Sequence, residues 1–261
     1  ADRRDGDCGT EPRCRTQRHS AGALAYLRDD GLSCFERRGV PTTRLEEWRF
    51  TNIARIAEKP FVEPTTRDVY TRADLDALHL PRLGGPELVF VNGTFAPALS
   101  TTDGLPAGVR IRSLAKLLAH DHAADAAAVA LHLGRMARIE SHAFAALNTA
   151  FLRDGAVVEV ASGVVVDAPI HLLFVTRSGV EPVLSQPRVL VVAGANSQVR
   201  VVESHAGDGE TPYLSNTVTE VSVGDHAVID HYTLVREADT AFSVGSLHAT
   251  LGRASNFSSH I

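Results

Sequence analysis

The histidines in the C-terminal part of this chain are the residues best suited to chemistry, because an imidazole binds metals and exchanges protons near neutral pH. His231, His248 and His260 lie there at positions related by a repeat that is described below. We predict that these three are the candidates for contact with a cofactor, whereas no residue is predicted to be catalytic or to hold a metal. For His231, which falls between Val201 and Ser259 in an inward-facing column, a hydrogen-bonded core histidine is the alternative interpretation.

Carboxylates accompany one of these histidines. His248 falls in the same predicted column as Glu159 and Glu220, and Glu203 lies close by in the repeat. A polar strip of this kind on the outer face of a coil is typical of a ligand groove, a wetted surface or a protein interface. The sequence leaves these alternatives open.

The three cysteines, Cys8, Cys14 and Cys34, all precede residue 40. An odd number of widely spaced cysteines is not a disulfide framework, and the spacing of the first two is poor for zinc or for an iron–sulfur cluster. We therefore interpret them as reduced, incidental thiols of a cytoplasmic protein.

Sequence motifs for several enzyme classes are missing. The chain has no Walker A sequence, no GxGxxG after a strand and no GxSxG turn, so we expect neither ATP hydrolysis, nor dinucleotide binding, nor serine hydrolase chemistry. Four histidines lie in residues 113–149 without the HExxH spacing of a zinc protease, and we interpret them as solvated or core residues. They are His120, His122, His132 and His142.

Charge and hydropathy exclude two kinds of partner. The formal net charge is −5, and residues 151–261 contain six Arg, no Lys and twelve acidic residues. Such a surface repels phosphate backbones, so no nucleic acid partner is expected. No apolar run reaches about 20 residues, so no membrane partner is expected either.

A repeat in residues 155–261 supplies the elements that must position the histidines. Gly163, Gly194, Gly224 and Gly252 recur at a nearly constant spacing of roughly 30 residues, and apolar residues alternate with period two on both sides of each glycine. A fixed period of this length predicts a parallel β-helix, in which each unit buries its apolar side by stacking on its neighbours. An antiparallel sandwich with glycine turns is the alternative.

The fold class predicted is therefore mainly β, or α+β, with a helical region before the β-helix. Residues 1–17 are predicted to be a disordered tail, 18–150 an N-terminal helical region and 151–261 the β-helix core. Helices are expected at 20–38, at 71–80 and in pieces over 113–149, with a hairpin at 87–97 that turns at Asn92-Gly93. The last residues carry no polar cap, and from this we expect a longer chain or a covering partner.

Two groups of apolar residues point to packing surfaces. Trp48, Phe50 and Ile53 form a dense cluster that is expected to anchor the helical segment, with partner docking as the alternative. Several outward-facing positions of the coil are also apolar, so we predict that a partner covers part of its outer face. These positions are Leu190, Val192, Val202, Tyr232 and Leu234.

Four segments resemble the SufB/SufD family of the SUF iron–sulfur cluster assembly system, in order from about residue 20 to residue 261. They are RLEEWRFTNI at 44–53, ALNTAFLRDGAVVEVASGVVVDAPIHLLFV at 146–175, VLVVAGANSQVRVVESHAG at 189–207 and VTEVSVGDHAVIDHYTLVRE at 218–237. Within the family the sequence resembles SufD more than SufB, because of its EEWRFT segment and its helix-to-LNTAF layout.

The resemblance implies a right-handed, single-stranded parallel β-helix and the role of a non-catalytic scaffold. A SufD-like protein pairs with SufB through the β-helices and binds the SufC ATPase through a C-terminal helical domain, and a nascent iron–sulfur cluster is held transiently at the interface. This sequence stops four rungs into the coil, so we expect the SufC-binding domain and the interface histidine to lie beyond it. No family ligand is carried onto a residue here.

Two other functions remain open. A β-helix polysaccharide-active enzyme would need carboxylates clustered in an outer groove, and the outer acids Glu159, Glu220 and Asp230 are scattered in the sequence. A protein-interaction module without an iron–sulfur role would never carry iron or acid-labile sulfide in its assemblies.

Overall fold

The computed structural model describes residues 20–64, 70–119 and 128–261. The predicted tail at 1–17, Cys8, Cys14, His120 and His122 lie outside the described residues. In the described part of the chain, the helices all end at or before Ala150. The α-helices are α1 (Ser20–Arg38), α2 (Ala54–Ala57), α3 (Arg72–Ala77), α4 (Leu114–Ala119) and α5 (Ala143–Ala150), and short 3-10 helices span Glu46–Trp48 and Pro97–Leu99.

Strands fill most of the chain after α5, and a few precede it. They are β1 (Glu87–Val91), β2 (Thr94–Phe95), β3 (Val109–Ser113), β4 (Ala156–Val160), β5 (Ile170–Arg177), β6 (Val183–Ser185), β7 (Arg188–Ala193), β8 (Gln198–Asp208), β9 (Tyr213–Val223), β10 (Val228–Arg236), β11 (Phe242–Leu251) and β12 (Asn256–His260).

The strands from β4 onward form two parallel sheets that the chain visits in turn, and the parallel β-helix prediction is thereby confirmed. The first sheet has the order β12-β10-β8-β5-β1-β2, and the second has the order β11-β9-β7-β4-β3, with β6 beside β9. All pairings within the coil are parallel, so the antiparallel sandwich is wrong. Residues that are one turn of the coil apart in the sequence lie next to each other in neighbouring strands. Ile229, for example, lies between Val199 and Phe257.

Side chains from alternate positions of the two sheets fill the interior of the coil. Burying both sheets' inner faces against each other is the main source of stability in such a fold, because each apolar residue is removed from water by its neighbours above, below and opposite. The fully buried aliphatic members include Ile170, Val189, Val201, Val221 and Ile229.

The corners at the repeating glycines use two different backbone properties. Gly194, Gly224 and Gly252 leave no room for a side chain, since a Cβ atom on Gly224 would lie 2.7 Å from the backbone nitrogen of Ala195. Gly163 instead has a φ of 76° and open space around it. The left-handed residue of the later corners is two positions after the glycine, at Asn196, His226 and Ala254.

The first turn of the coil is slightly longer than the alignment of the glycines predicts. Matching Gly163 to Gly194 would place Val160 opposite Val191, but Val160 pairs with Ala193, two positions further on. On the other sheet, Ile170 pairs with Val201, as the glycine alignment predicts. The structural counterpart of Gly194 is therefore Ala161 and not Gly163. Because the shift is an even number, the inward and outward assignments of β4 are unchanged.

Strands from the N-terminal half extend both sheets. The hairpin of β1 and β2 is confirmed, with Asn92 and Gly93 both at positive φ. Its first strand pairs in parallel with β5, with Glu87 opposite His171. β3, which was not predicted, pairs antiparallel with β4. The segment expected to be helical thus also contributes the outermost strands at one end of the coil.

Helices α1 and α5 cover the outer face of the second sheet, whereas α3 packs through Leu75 on the outer face of the first sheet. The helix predicted at 20–38 is confirmed as α1, which packs against α5. The predicted short helix near 71–80 is α3, capped by reciprocal hydrogen bonds between Thr71 and Asp74. Trp48 packs on Phe144 of α5, with ring centroids 5.4 Å apart, and so anchors its segment as predicted. Phe50 does not, because 90% of it is exposed.

Among the described residues, none of the helices combines the length and the apolar character that crossing a membrane requires.

Candidate functional site

A carboxylate lies in the interior of the coil, surrounded by hydroxyl and imidazole groups. Glu203 is on β8 and is fully buried. Its Oε1 accepts hydrogen bonds from His231 Nε2 and from Thr219 Oγ1, both at 2.8 Å, and its Oε2 lies 3.3 Å from His205 Nε2. Burial opposes ionisation of this carboxyl group, but the hydrogen bonds from His205 and His231 outweigh it and hold its pKa at about 2. We name these four residues the interior cluster.

His231 is the member of the interior cluster that the sequence singled out. It stacks between Val201 and Ser259 in the inward column, as predicted. Its Nδ1 lies 3.0 Å from Ser259 Oγ, while its Nε2 must donate to Glu203, because an ionised carboxylate only accepts. This arrangement is a hydrogen-bonded core histidine whose Nε2 carries a proton. Chemically, the cluster can keep a negative charge inside the coil.

The placement of Glu203 on an outer polar strip is wrong. Inward residues of β8 alternate as Val199, Val201, Glu203 and His205, because side chains of a strand point to opposite faces with period two. The apolar inward residues Val199 and Val201 are separated from Gly194 by an odd number of positions, and so is Glu203. Counting in the same way would have predicted an inward position for His205, which the sequence analysis missed.

Glu159 does not belong to the predicted column of Glu220 and His248 either. His248 pairs with Glu220, as expected, but the longer first turn places Glu159 opposite Val192 instead of Leu190. Glu159 forms ion pairs with Arg110, at 3.3 Å, and with Arg112, on the neighbouring strand β3. It therefore supports the edge of the coil and does not approach His248.

Glu220 lies on the outer face of β9 but is completely buried. Arg188 Nη2 donates to its Oε2 at 2.5 Å, and the backbone nitrogens of Gly134, Met136 and Ala137 donate to it at 2.9 to 3.0 Å. Burial disfavours the charged form, yet Arg188 and these three N–H groups keep the pKa of Glu220 below its usual range. This carboxylate joins the helical region to the coil and is inaccessible to a ligand.

His248 lies on the outer face of β11 at the margin of the helical cover. Its ring is 5.5 Å from the ring of His142, centroid to centroid, and its Nε2 is buried without a hydrogen-bond partner. Burial and the neighbouring His142 lower the pKa of His248. At neutral pH this side chain is therefore an uncharged imidazole.

His260 is exposed on the outer face of the first sheet. It stacks on Tyr232 with ring centroids 5.2 Å apart, in the column that continues to Val202 and His171. His171, deeper in this column, is buried and held by Glu87 at 2.9 Å and by Ser204 at 2.8 Å. The exposed ring pair thus sits above a fully hydrogen-bonded histidine.

The three candidate histidines do not converge. His231 faces the interior, His260 faces outward from the same sheet, and His248 faces outward from the other sheet. Within the described ranges, no group of three or more histidine, cysteine or acidic side chains is placed to hold a metal ion as it stands. Cys34 is buried in a helix-packing cluster, and burial raises the pKa of its thiol.

Part of the apolar outer face is covered by this chain itself. Leu190 and Val192 pack against a cluster that includes Leu114, Leu117 and Leu152. Tyr232 and Leu234 on β10 differ, because each is about one third exposed or more. The prediction that a partner covers Leu190 and Val192 is wrong, while Tyr232 and Leu234 remain available for one.

Two family models match the chain in succession. The one described as the SufBD protein N-terminal region matches residues 10–172. The one described as the SUF system FeS cluster assembly, SufBD core domain, matches residues 174–261. The border between the two matches falls within β5, inside the coil.

A curated relative of similar sequence is an iron–sulfur cluster assembly SufBD family protein of Synechocystis sp.. It is 32% identical to this chain over 228 residues, which are 84% of this chain and 49% of the relative. The chain therefore spans about half the length of the curated relative it matches.

Proposed function

This chain belongs to the SufBD family, and on that premise we propose that it is a scaffold subunit of iron–sulfur cluster assembly that pairs with SufB and works with the SufC ATPase. In this role it has no turnover of its own. It supplies a rigid coil edge against which a partner coil is held, and a nascent cluster is built transiently at the interface of the complex while SufC hydrolyses ATP.

The observation that carries this proposal is the succession of the two SufBD regions along a single coil. The N-terminal region does not stand apart from the core, since β1 extends the first sheet and β3 extends the second. Arg188 and Glu220 further join the helices to the sheets through buried polar contacts. Such a body suits a scaffold, because it transmits force between a partner on one face and a partner at one end without deforming.

Within the family, the SufD assignment is supported by sequence. The EEWRFT segment and the helix that leads into LNTAF are the SufD-like features, and α5 is that helix. The coil also contains no cysteine. A SufD-like subunit of this composition would offer imidazoles and carboxylates to a cluster site, with thiolates coming from SufB.

Tyr232 and Leu234 support a pairing surface on the outer face of the first sheet. They neighbour each other on β10 with Tyr232 stacked on His260, and together they form an exposed apolar strip. Aromatic and aliphatic anchors of this kind contribute strongly to protein interfaces once a partner excludes water from them.

The carboxylates do not favour a polysaccharide-active enzyme. Among the outer acids, Glu159 is paired with arginines, Glu220 is buried, and Asp230 accepts a hydrogen bond from Ser258 at 2.7 Å. Two free carboxylates facing one groove, which glycoside hydrolysis requires, are not formed by these three.

Co-purification tests the proposal. Residues 1–261 are expressed with SufB and SufC from the same organism, and SufB is expected to co-purify, whereas SufC is not expected to bind this segment alone. Tyr232→Asp with Leu234→Asp is expected to abolish the SufB contact. Val180→Asp, at a loop position that is 96% exposed, is the matched control and is expected to leave it intact.

The assembled complex, with SufB and SufC, is expected to carry iron and acid-labile sulfide after anaerobic reconstitution. Retention of SufC by residues 1–261 without SufB would contradict the proposed division of contacts. A complex that forms but never holds iron or sulfide would instead favour an interaction module without an iron–sulfur role.

A further inference from the structure

Two histidines from distant parts of the sequence meet at the outer face of β11. His142 is the residue that precedes α5, and His248 projects from the strand. Their ring centroids are 5.5 Å apart and the rings are tilted by 59°. Two imidazoles bound to one tetrahedral metal through nitrogens about 2.0–2.1 Å away have ring centres roughly 5 Å apart, so the observed separation suits a shared metal.

A carboxylate lies within reach of the same pair. Glu47, in the 3-10 helix Glu46–Trp48, has its Oε2 4.0 Å from Nδ1 of His142. That distance is too long for a hydrogen bond. Two ligand atoms on one tetrahedral metal are about 3.4 Å apart, so a shift of roughly half an ångström by this exposed side chain would complete a third ligand.

His248 also has a buried polar atom without a partner. The Nε2 atom of His248 is buried and has no hydrogen-bond partner, although nearly all buried polar atoms in native proteins have one. A metal ion would satisfy this nitrogen.

We propose that His142 and His248 bind a divalent first-row transition metal ion, with Glu47 drawn in as the third ligand. Two imidazoles and one carboxylate leave positions open for water or an external ligand, and this donor set suits iron(II), zinc or cobalt(II). The site is on the outer face of the second sheet, away from the exposed Tyr232 strip, and it does not depend on the proposed scaffold function.

Binding of zinc and cobalt(II) to the full chain tests the proposal. Cys8 and Cys14 are first changed to serine, because thiols of the N-terminal segment would bind the same metals. Zinc affinity is measured by calorimetric titration, and the absorption of bound cobalt(II), added at about 100 µM, reports its coordination. One bound ion per chain is expected, with a cobalt spectrum of nitrogen and oxygen ligands.

Variants assign the ligands. His142→Ala and His248→Ala are each expected to weaken zinc binding by at least about tenfold, and Glu47→Gln by a smaller factor. His142 makes no side-chain capping bond to α5, so its removal is expected to leave the fold intact, which circular dichroism verifies. His132→Ala, a histidine in the segment that leads to α5, is the matched control and is expected to bind zinc as the parent does.

Each result has a consequence for the proposal. Absence of zinc binding by the parent chain, or equal binding by the His142→Ala, His248→Ala double variant, would overturn the site. Equal loss with His132→Ala would show general histidine binding and would overturn it too. An unchanged affinity of Glu47→Gln would remove Glu47 from the ligand set.

Discussion

Arg188 and Glu220 form an ion pair of 2.5 Å that is almost fully buried on the outer face of the second sheet. Nη1 of Arg188 continues to Asn148 and Thr149 of α5. The backbone at 134–137 donates to the carboxylate. One pair of opposite charges therefore connects two rungs of the coil to the helical segments that cover it.

Breaking this ion pair is expected to destabilise the protein strongly. Arg188→Met leaves a buried carboxylate without its cation, and a loss of about 3–5 kcal/mol in the free energy of unfolding is expected. Urea denaturation followed by circular dichroism measures it. Arg82→Met, which removes an exposed pair with Asp76, is the comparison and is expected to cost about 1 kcal/mol or less. Equal losses for the two variants would show that burial is not what makes the Arg188 pair important.

Acidification is expected to weaken the fold through Glu203. The pKa of Glu203 in the folded protein, about 2, is below the ordinary value of 4.5. The ionised carboxylate therefore stabilises the folded state fully above pH 4.5, and this stabilisation is lost as the pH falls towards 2. At neutral pH the contribution amounts to about 3 kcal/mol. Glu203→Gln is expected to be less stable than the parent at neutral pH, with the difference shrinking as the pH approaches 2. Urea midpoints for both proteins across this range provide the measurement, and a difference that stays constant with pH would argue against a charged Glu203.

The coil corners are expected to tolerate no side chain at the repeating glycine. A Cβ on Gly224 would meet backbone atoms of three residues at 2.7 to 2.8 Å, so Gly224→Ala is expected to cost about 2 kcal/mol or more. Gly245 is the matched control, since nothing lies within 4 Å of an added Cβ and the residue is within strand β11. Gly245→Ala is expected to be neutral or stabilising by about 0.5 kcal/mol. Thermal unfolding of the two variants tests the contrast, and a stable Gly224→Ala protein would contradict it.

A substitution at the last corner of the coil is expected to raise the stability of the protein. Ala254 has a φ of 53° where the equivalent residue of an earlier corner is Asn196. Alanine is strained in this region, whereas asparagine tolerates it, so Ala254→Asn is expected to raise the free energy of unfolding by about 0.5–1 kcal/mol. The reverse change, Asn196→Ala, is expected to lower it by a similar amount. Melting temperatures that move in the same direction for both variants would exclude this explanation.

Local periodicity was sufficient to predict the coil. Alternation around Gly194, Gly224 and Gly252 predicted the parallel stacking and the inward position of His231, because a β-helix repeats its environment at each rung. The same periodicity contained the positions of Glu203 and His205, which follow Gly194 by odd numbers. Polarity misled the interpretation there, since a charged residue was expected to face water.

Other features have no local signal. The meeting of His142 and His248 depends on how the helical region folds over β11, and the two residues are too far apart in the sequence for any periodic pattern to relate them. The longer first turn could not be predicted because Gly163 was aligned with Gly194 as another repeating glycine. In the structure Gly163 is at the position that corresponds to Asn196, and both residues have a positive φ. The strand β3 is short and alternates between arginine and aliphatic residues. Its sequence alone did not predict a strand, and it forms one by pairing with β4.

The parallel pairing of β1 with β5 has a consequence for synthesis. Glu87 lies opposite His171, so the first strand leaves the ribosome well before the partner on which it depends. At the usual elongation rates of about 5–20 residues per second, this is a wait of roughly 4 to 17 seconds. During it, β1 is paired on one edge, with β2 and with Thr101, whereas each later strand of the first sheet is made when its neighbour already exists. The other edge of β1 is open to pairing with other chains until β5 is made, and a chaperone that shields residues 87–95 would act in this interval.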